Sequence, residues 1–282
     1  MTQTLNWAQI EARLEEVDLV AAMEAAFAAY ARGEAVIPPV GEMVFEDPPG
    51  DVHIKYGYRK GGSHYVVKIA SGFYDNPKLG LSSCQGLMLL FDQRTGAPYS
   101  ILLDEGRLTD ARTGAAGALA AKKLAPAKVE CIGVLGSGTQ ARVQARYLKE
   151  VTDCRQLRLW GRRAEGAAEC AEDLRELGFE VEVGPEPEAV VTTSQLIVTT
   201  TPSTRAIEWG AWRLASLGRY QALPIRWCPT SRAVRWRPRP SRRGLSSTTN
   251  LPLPRRWGRP VPPRRPAASC RSGGAGSACW LS

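Results

Sequence analysis

Gly133-Val134-Leu135-Gly136-Ser137-Gly138-Thr139-Gln140-Ala141 decides the fold of this chain. It places G-x-G-x-x-A between an apolar run, 129–135, and a helical run, 139–151. Each residue type has a physical reason. Gly136 permits a tight turn, Gly138 lets the backbone approach a pyrophosphate, and Ala141 lets helix and strand pack closely. Free N–H groups at the helix start, aided by the dipole, then hold phosphate oxygens. A glycine turn can also occur in an α/β protein that binds nothing, but the units that follow favour dinucleotide binding. Gln156 to Trp160 reads as a strand, 164–177 as a helix, 179–183 as a strand and 195–200 as another. Such alternation predicts a parallel, doubly wound, Rossmann-like sheet.

The second strand ends Trp160-Gly161-Arg162-Arg163, where a carboxylate for a ribose 2′-hydroxyl would otherwise stand. Two guanidiniums can pair with a 2′-phosphate, which favours NADP(H) over NAD(H). The competing reading makes Arg162 and Arg163 solvated residues opening the next helix.

Upstream, Leu19, Val20, Met23, Phe27 and Tyr30 fall at helical spacing, with Asp18 available as an N-cap, so 18–32 is predicted to be an amphipathic helix. Apolar, β-branched and aromatic runs near 52–58, 64–70, 86–92 and 98–103 follow, separated by turn signals. They predict an α+β region with a mainly antiparallel sheet. The alanine-rich stretch 108–125 reads as a helix bridging the two regions, with Thr109 or Asp110 capping its start and Lys122 and Lys123 near its C-terminal end.

The chain has 282 residues, enough for about two domains. Its net charge of +9 is not one uniform surface: residues 210–282 hold 15 Arg and no Lys, Asp or Glu, leaving 1–209 at −6. The seven cysteines show no C-x-x-C, and there are two histidines, so neither a zinc site nor a disulfide framework is expected. His53 and His64 are read as structural, since a lone histidine in a strand is more often satisfied by neighbours. No leader pattern and no membrane-length apolar run is found, which predicts a cytoplasmic protein with no membrane partner.

Beyond Trp209 the rhythm stops. The last 73 residues hold 15 Arg, 10 Pro, 9 Ser and 5 of the chain's 8 Trp, without apolar periodicity. That composition is expected when GC-rich DNA is translated out of frame, and a frameshift near 205–215 is the reading adopted. The alternative is a basic arm that binds nucleic acid by charge and stacking, disfavoured by the lack of Lys and the many Pro.

Three separated motifs now become recognisable: Val67-Lys68-Ile69-Ala70-Ser71, Gly86-Leu87-Met88, and Leu108-Thr109-Asp110-Ala111-Arg112-Thr113-Gly114-Ala115. In this order before the glycine turn, they resemble the ornithine cyclodeaminase and mu-crystallin family over about residues 5–205. The wording around Pro38-Pro39 and Asp51-Val52-His53-Ile54-Lys55 is similar to members associated with catabolism of ectoine-type amino acids. The resemblance implies a substrate-binding and dimerisation domain over 1–115, an incomplete NAD(P)-binding domain over 116–209 and a disordered tail over 210–282.

It further implies that Lys68 and Arg112 hold an amino-acid carboxylate and that Thr113 lies near the cofactor phosphates. Gly136, Ser137, Gly138, Thr139, Gln140, Arg162, Arg163 and Thr200 would complete the site for NADP(H) or NAD(H). A lysine on an apolar strand and an arginine early in a helix suit a carboxylate clamp, although either could be an ion-paired structural charge. The activity implied is conversion of an ornithine-like or ectoine-derived diamino acid to a cyclic imino acid with ammonia release. The alternatives are NADPH-dependent reduction of a cyclic ketimine such as 1-pyrroline-2-carboxylate, and an inactive or merely cofactor-binding relative. Two departures stand out. Pro38-Pro39-Val40-Gly41-Glu42 lacks the arginine many members carry there, and nothing after Trp209 matches the family's G-[SA]-D element.

Overall fold

The computed structural model describes residues 2–201. The arginine-rich segment, and the out-of-frame reading of it, lie outside the described residues.

Two sheets make up the α/β architecture. The first is mainly antiparallel and follows two helices, α1 (Trp7–Leu14) and α2 (Leu19–Ala31). Its strands are β1 (Gln3–Leu5), β2 (Ala35–Val36), β3 (Gly41–Phe45), β4 (Gly50–Arg59), β5 (His64–Phe73), β6 (Cys84–Asp92) and β7 (Pro98–Leu102). They run in the order β1-β7-β6-β5-β4-β2, with β3 also pairing β4. Helix α3 (Arg107–Leu124) leads into the second sheet. That sheet comprises β8 (Ile132–Leu135), β9 (Gln156–Trp160), β10 (Glu180–Val183) and β11 (Leu196–Thr199), interleaved with α4 (Thr139–Leu148), α5 (Ala164–Glu176) and α6 (Pro187–Thr193). All its pairings are parallel and the order is β10-β9-β8-β11. The strand order therefore reverses between β8 and β11, the crevice where open α/β sheets bind ligands.

Helices cover both faces of the parallel sheet. Ala141, Ala145 and Leu148 of α4 and Cys170, Ala171 and Leu174 of α5 pack on Ile132, Val134, Leu157, Leu159, Leu196 and Val198. Val190 and Val191 of α6 close the opposite face against Leu135 and Ile197. Leu159 is fully buried. Leu159→Ala is expected to destabilise the fold by ~2–5 kcal/mol, read as a lowered urea midpoint with an unchanged denaturant slope.

The α3–α4 contact depends on a small residue. A Cβ on Gly114 would lie 2.6 Å from Tyr147 Cδ2 and 2.7 Å from Val143 Cγ1, so only glycine allows the helices this close. On its other side α3 packs Ala115, Ala118 and Leu119 against Val20 of α2.

Several local expectations change. Asp18 does cap α2, accepting from Ala21 N at 2.8 Å. Phe27 and Tyr30, however, are about half exposed, because the helix turns Val20 and Ala29 inward. Helix α3 is not capped by Thr109 or Asp110. It starts earlier, at Gly106 in the left-handed conformation, and the Asp104 carboxylate takes the Leu108 N–H at 3.1 Å. Thr109 and Asp110 fall in the first turn, with their side chains available inside. Elements too short for a clear pattern, β1, β3 and α6, were not foreseen, nor was α1, which begins with a reciprocal Asn6–Gln9 capping box.

Candidate active site

Because side chains alternate along a strand, one face of the antiparallel sheet is set by register. Asp51, His53 and Lys55 of β4 stand opposite Gly72, Ala70 and Lys68 of β5, which stand opposite Cys84, Gly86 and Met88 of β6. The small residues Ala70, Gly72 and Gly86 leave space above the middle of this face. A cavity of about 310 Å³ occupies it. Its wall combines Asp51, His53 and Tyr74 from the sheet side with Thr109 and Asp110 from α3, and Gly138, Thr139, Gln140 and Thr200 from the glycine turn and the end of β11.

On the nucleotide side, Gly136 has φ +115°, and a Cβ there would sit 2.5 Å from Thr200 Oγ1. Thr200 is itself fixed by its N–H on Leu135 O at 2.8 Å. A Cβ on Gly138 would meet nothing within 4 Å, so that glycine faces open space. The N–H groups of Gly138, Thr139 and Gln140 have no partner among the described residues. An open glycine cradle below free amides at a helix start is what a pyrophosphate needs; the residues present fit a dinucleotide.

The other nucleotide candidates are distributed as follows. The Ser137 carbonyl accepts from Arg142 Nη1 at 2.8 Å, and its hydroxyl lies beside Gly161. Gln140 donates to Asp110 Oδ1 at 2.7 Å and accepts from Gln144 Nε2 at 3.3 Å, locking α4 to α3. Thr113 is buried, its hydroxyl donating to Thr109 O at 2.7 Å, and it does not line the cavity. Arg162 and Arg163 are exposed just after β9, and their guanidinium groups have no hydrogen-bond or ion-pair partner among the described residues.

The cations form a second group. Lys68 Nζ donates to Thr109 Oγ1 at 3.3 Å, on the cavity wall. Burial, reinforced by Arg112 and Lys55, lowers its pKa to about 8, against the opposing pull of Asp104 and Asp110. Burial also lowers Arg112, with Asp110 acting against it. Lys55 is lowered by desolvation and by Arg112. Burial raises the Asp110 carboxyl, while the Gln140 hydrogen bond and Arg112 pull it down. Three cations thus act on one another beside Thr109, and none of them lines the cavity itself. Like charges in cross-strand register, as with Lys55 and Lys68, are unfavourable unless an anion joins them.

The sequence assigns no site role to Lys55, Asp51, Tyr74 or Asp110 and leaves His53 as structural, whereas His53 lines the cavity. The available signal was the alternation Asp51-x-His53-x-Lys55, which places three ionisable groups on one face of one strand.

Residues 2–212 match the model of the ornithine cyclodeaminase/mu-crystallin family. The chain belongs to this family. It is 40% identical over 199 residues to an uncharacterized cyclodeaminase of Sinorhizobium fredii, covering 70% of this chain and 60% of that protein. Among solved structures, the Thermococcus litoralis Δ1-pyrroline-2-carboxylate reductase in complex with NADH and L-proline is similar, with a TM-score of 0.70 and 26% identity over 75% of this chain and 65% of that one. An archaeal alanine dehydrogenase dimer with bound NAD has a TM-score of 0.67 and 29% identity, covering 75% and 64%. The chain spans about three-fifths of the length of the cyclodeaminase it matches.

Proposed function

We propose that this family member binds NADP(H) or NAD(H) at the Gly136–Gln140 turn and acts at the Cα–N bond of a small amino acid. The lead reading is cyclodeamination of an ornithine-like or ectoine-derived diamino acid, releasing ammonia. The observation that carries it is the cavity joining the glycine turn to the antiparallel sheet and to Thr109, the wall residue that accepts from Lys68, with Arg112 and Lys55 acting on Lys68 from behind the wall. Lys68 and Arg112 would hold the substrate carboxylate by charge-assisted hydrogen bonds, and Lys55, one strand over, would supply a third cation where the proline-rich turn has no arginine. The bound nicotinamide would accept and return a hydride at Cα. The chain's own part is to orient Cα and handle protons on nitrogen.

Cyclic ketimine reduction is the second reading, favoured by the likeness to the reductase complexed with NADH and L-proline. Ammonia release from L-ornithine without net cofactor consumption would select the first. Stoichiometric NADPH oxidation with 1-pyrroline-2-carboxylate would select the second, and neither, alongside tight NADPH binding, would mark a binding protein.

Between the cofactors, Arg162 and Arg163 support NADP(H). Replacing both with Ala should weaken NADPH binding by about tenfold or more, the equivalent of at least about 1.4 kcal/mol, while NADH affinity stays within about twofold, measured by nicotinamide fluorescence.

A homodimer is part of the proposal. The far face of the antiparallel sheet exposes Met43, Phe45, Tyr56 and Tyr58, a patch suited to a second copy. Among the described residues no helix is long and apolar enough to cross a membrane. The family match ends at residue 212, inside the interval where composition changes, which supports the out-of-frame reading of the tail.

A further inference from the structure

The cavity contains a proton-handling arrangement that the carboxylate clamp and the nucleotide turn do not use. Asp51 is 2% exposed. Tyr74 Oη donates to its Oδ2. His53 Nδ1 lies 3.4 Å from its Oδ1. On the other side of the ring, Nε2 lies 3.3 Å from Glu42 Oε1, and Glu42 is half exposed. The row is built by register: Glu42 on β3 pairs His53, and His53 pairs Ala70 on β5, whose small side chain leaves the imidazole facing the cavity. Gly72 serves Asp51 in the same way, since a Cβ there would come within 3.3 Å of Oδ1.

Burying a carboxylate is costly unless its oxygens are bonded, and a fold seeking stability alone would not set one beside an open cavity. A carboxylate on Nδ1–H does, however, fix the tautomer of a histidine and leaves Nε2 as the exchanging atom. We propose that His53 is the catalytic residue that transfers the proton on the substrate nitrogen, with Asp51 and Tyr74 as positioning residues and Glu42 at the rim linking the ring to solvent. The inference rests on the function proposed above. In the reductive direction, His53 Nε2 would give its proton to the imine nitrogen, and a bound reduced nicotinamide would supply the hydride for the C=N carbon. The products are the amine, the oxidised nicotinamide and a neutral imidazole, which is reprotonated from water. In the oxidative direction the amine gives its proton to Nε2 as the hydride leaves.

The titratable and charged groups around the ring are Glu42 from β3, Asp51 and Lys55 from β4, Lys68 from β5, Tyr74 from the following turn, Cys84 from β6, and Asp110 and Arg112 from α3. As donor, the imidazolium is needed, so kcat/KM for imine reduction should fall as pH rises.

The test uses the full 282-residue chain. With two histidines in the sequence, ring NMR can follow His53 against His64 as an internal reference. With L-proline and NADP+ bound, the His53 ring signals should move while those of His64 stay. Asp51→Asn should abolish the movement. His53→Gln should lower kcat for 1-pyrroline-2-carboxylate reduction by about 100-fold or more and flatten the pH profile, with the NADPH Kd unchanged within about twofold. If the wild type binds L-proline and the His53 ring signals do not move, or if His53→Gln reduces the imine with the wild-type profile, this inference fails and the proposed function stands. If the wild type binds neither NADPH nor L-proline, the proposed function fails and this inference with it.

Discussion

Gly138→Ala is expected to leave the chain folded and to weaken dinucleotide binding by about 100-fold or more. At Gly138 a Cβ meets nothing within 4 Å, and the residue's φ of −86° is accessible to alanine. The protein itself has no steric need for glycine there, so the melting temperature should change by no more than a few degrees. The open space is where a pyrophosphate would lie against the backbone, and a methyl group in it displaces the phosphate from the amides of Gly138, Thr139 and Gln140. Losing two charge-assisted hydrogen bonds, each worth ~1.5–3 kcal/mol, corresponds to about 100-fold or more in Kd. Gly136→Ala makes the contrast. At φ +115° and 2.5 Å from Thr200 Oγ1, a Cβ there is strained whatever binds, and both stability and binding should fall. Isothermal calorimetry with NADPH and NADH, beside thermal melts of the two variants, reads both quantities. Normal NADPH affinity in Gly138→Ala would refute the placement of the dinucleotide.

Lys68→Met should weaken binding of a carboxylate ligand by about 10- to 150-fold, from the loss of one charge-assisted bond, and yet stabilise the unliganded fold. The opposite signs have one cause. Burial beside Arg112 and Lys55 lowers Lys68 to about 8 from 10.5, so the folded state holds this proton less tightly than the unfolded chain does. Below pH 8 both states are protonated and the destabilisation is fully present. Between pH 8 and 10.5 the unfolded chain binds more protons, so this site's contribution to stability rises with pH. Lys68→Met removes that rise, and its melting temperature near pH 7 should exceed that of the wild type. Ligand binding runs the other way. A carboxylate needs the ammonium, so wild-type affinity for L-proline should decline above about pH 8, while the weaker affinity of the variant should lose that component. Calorimetric titrations from pH 6.5 to 9.5 would show it. A variant no more stable than wild type would contradict the description of Lys68 as a cation whose desolvation and repulsion by Arg112 and Lys55 outweigh Thr109, Asp104 and Asp110.

The parallel sheet was legible because its strands are short apolar or alternating runs bounded by turn signals, and β8, β9, β10 and β11 each fall within the expected segments. The four long antiparallel strands were legible by the same logic. What escaped was short or settled at a distance. β1 has three residues and exists by pairing with β7, 97 positions away at Gln3 and Ser100. The start of α3 depended on Gly106 adopting a left-handed turn and on Asp104 reaching Leu108 N, two details that favour no single residue in the sequence as the cap.

For the site the division is similar. Gly136 and Gly138 could be recognised because the backbone conformation they permit is local, and Lys68 and Arg112 because they stand in recognisable family motifs. His53, by contrast, acquires its place from Asp51 two residues before it, Glu42 across one strand pair, Ala70 across another and Tyr74 beyond the end of β5. Alternation in β4 alone determines that Asp51, His53 and Lys55 share a face. Which face looks into a cavity is decided by α3 and the glycine turn packing over it. That packing is non-local, and it is what turns a histidine in a strand into an imidazole flanked by Asp51 and Glu42 on the wall of a cavity.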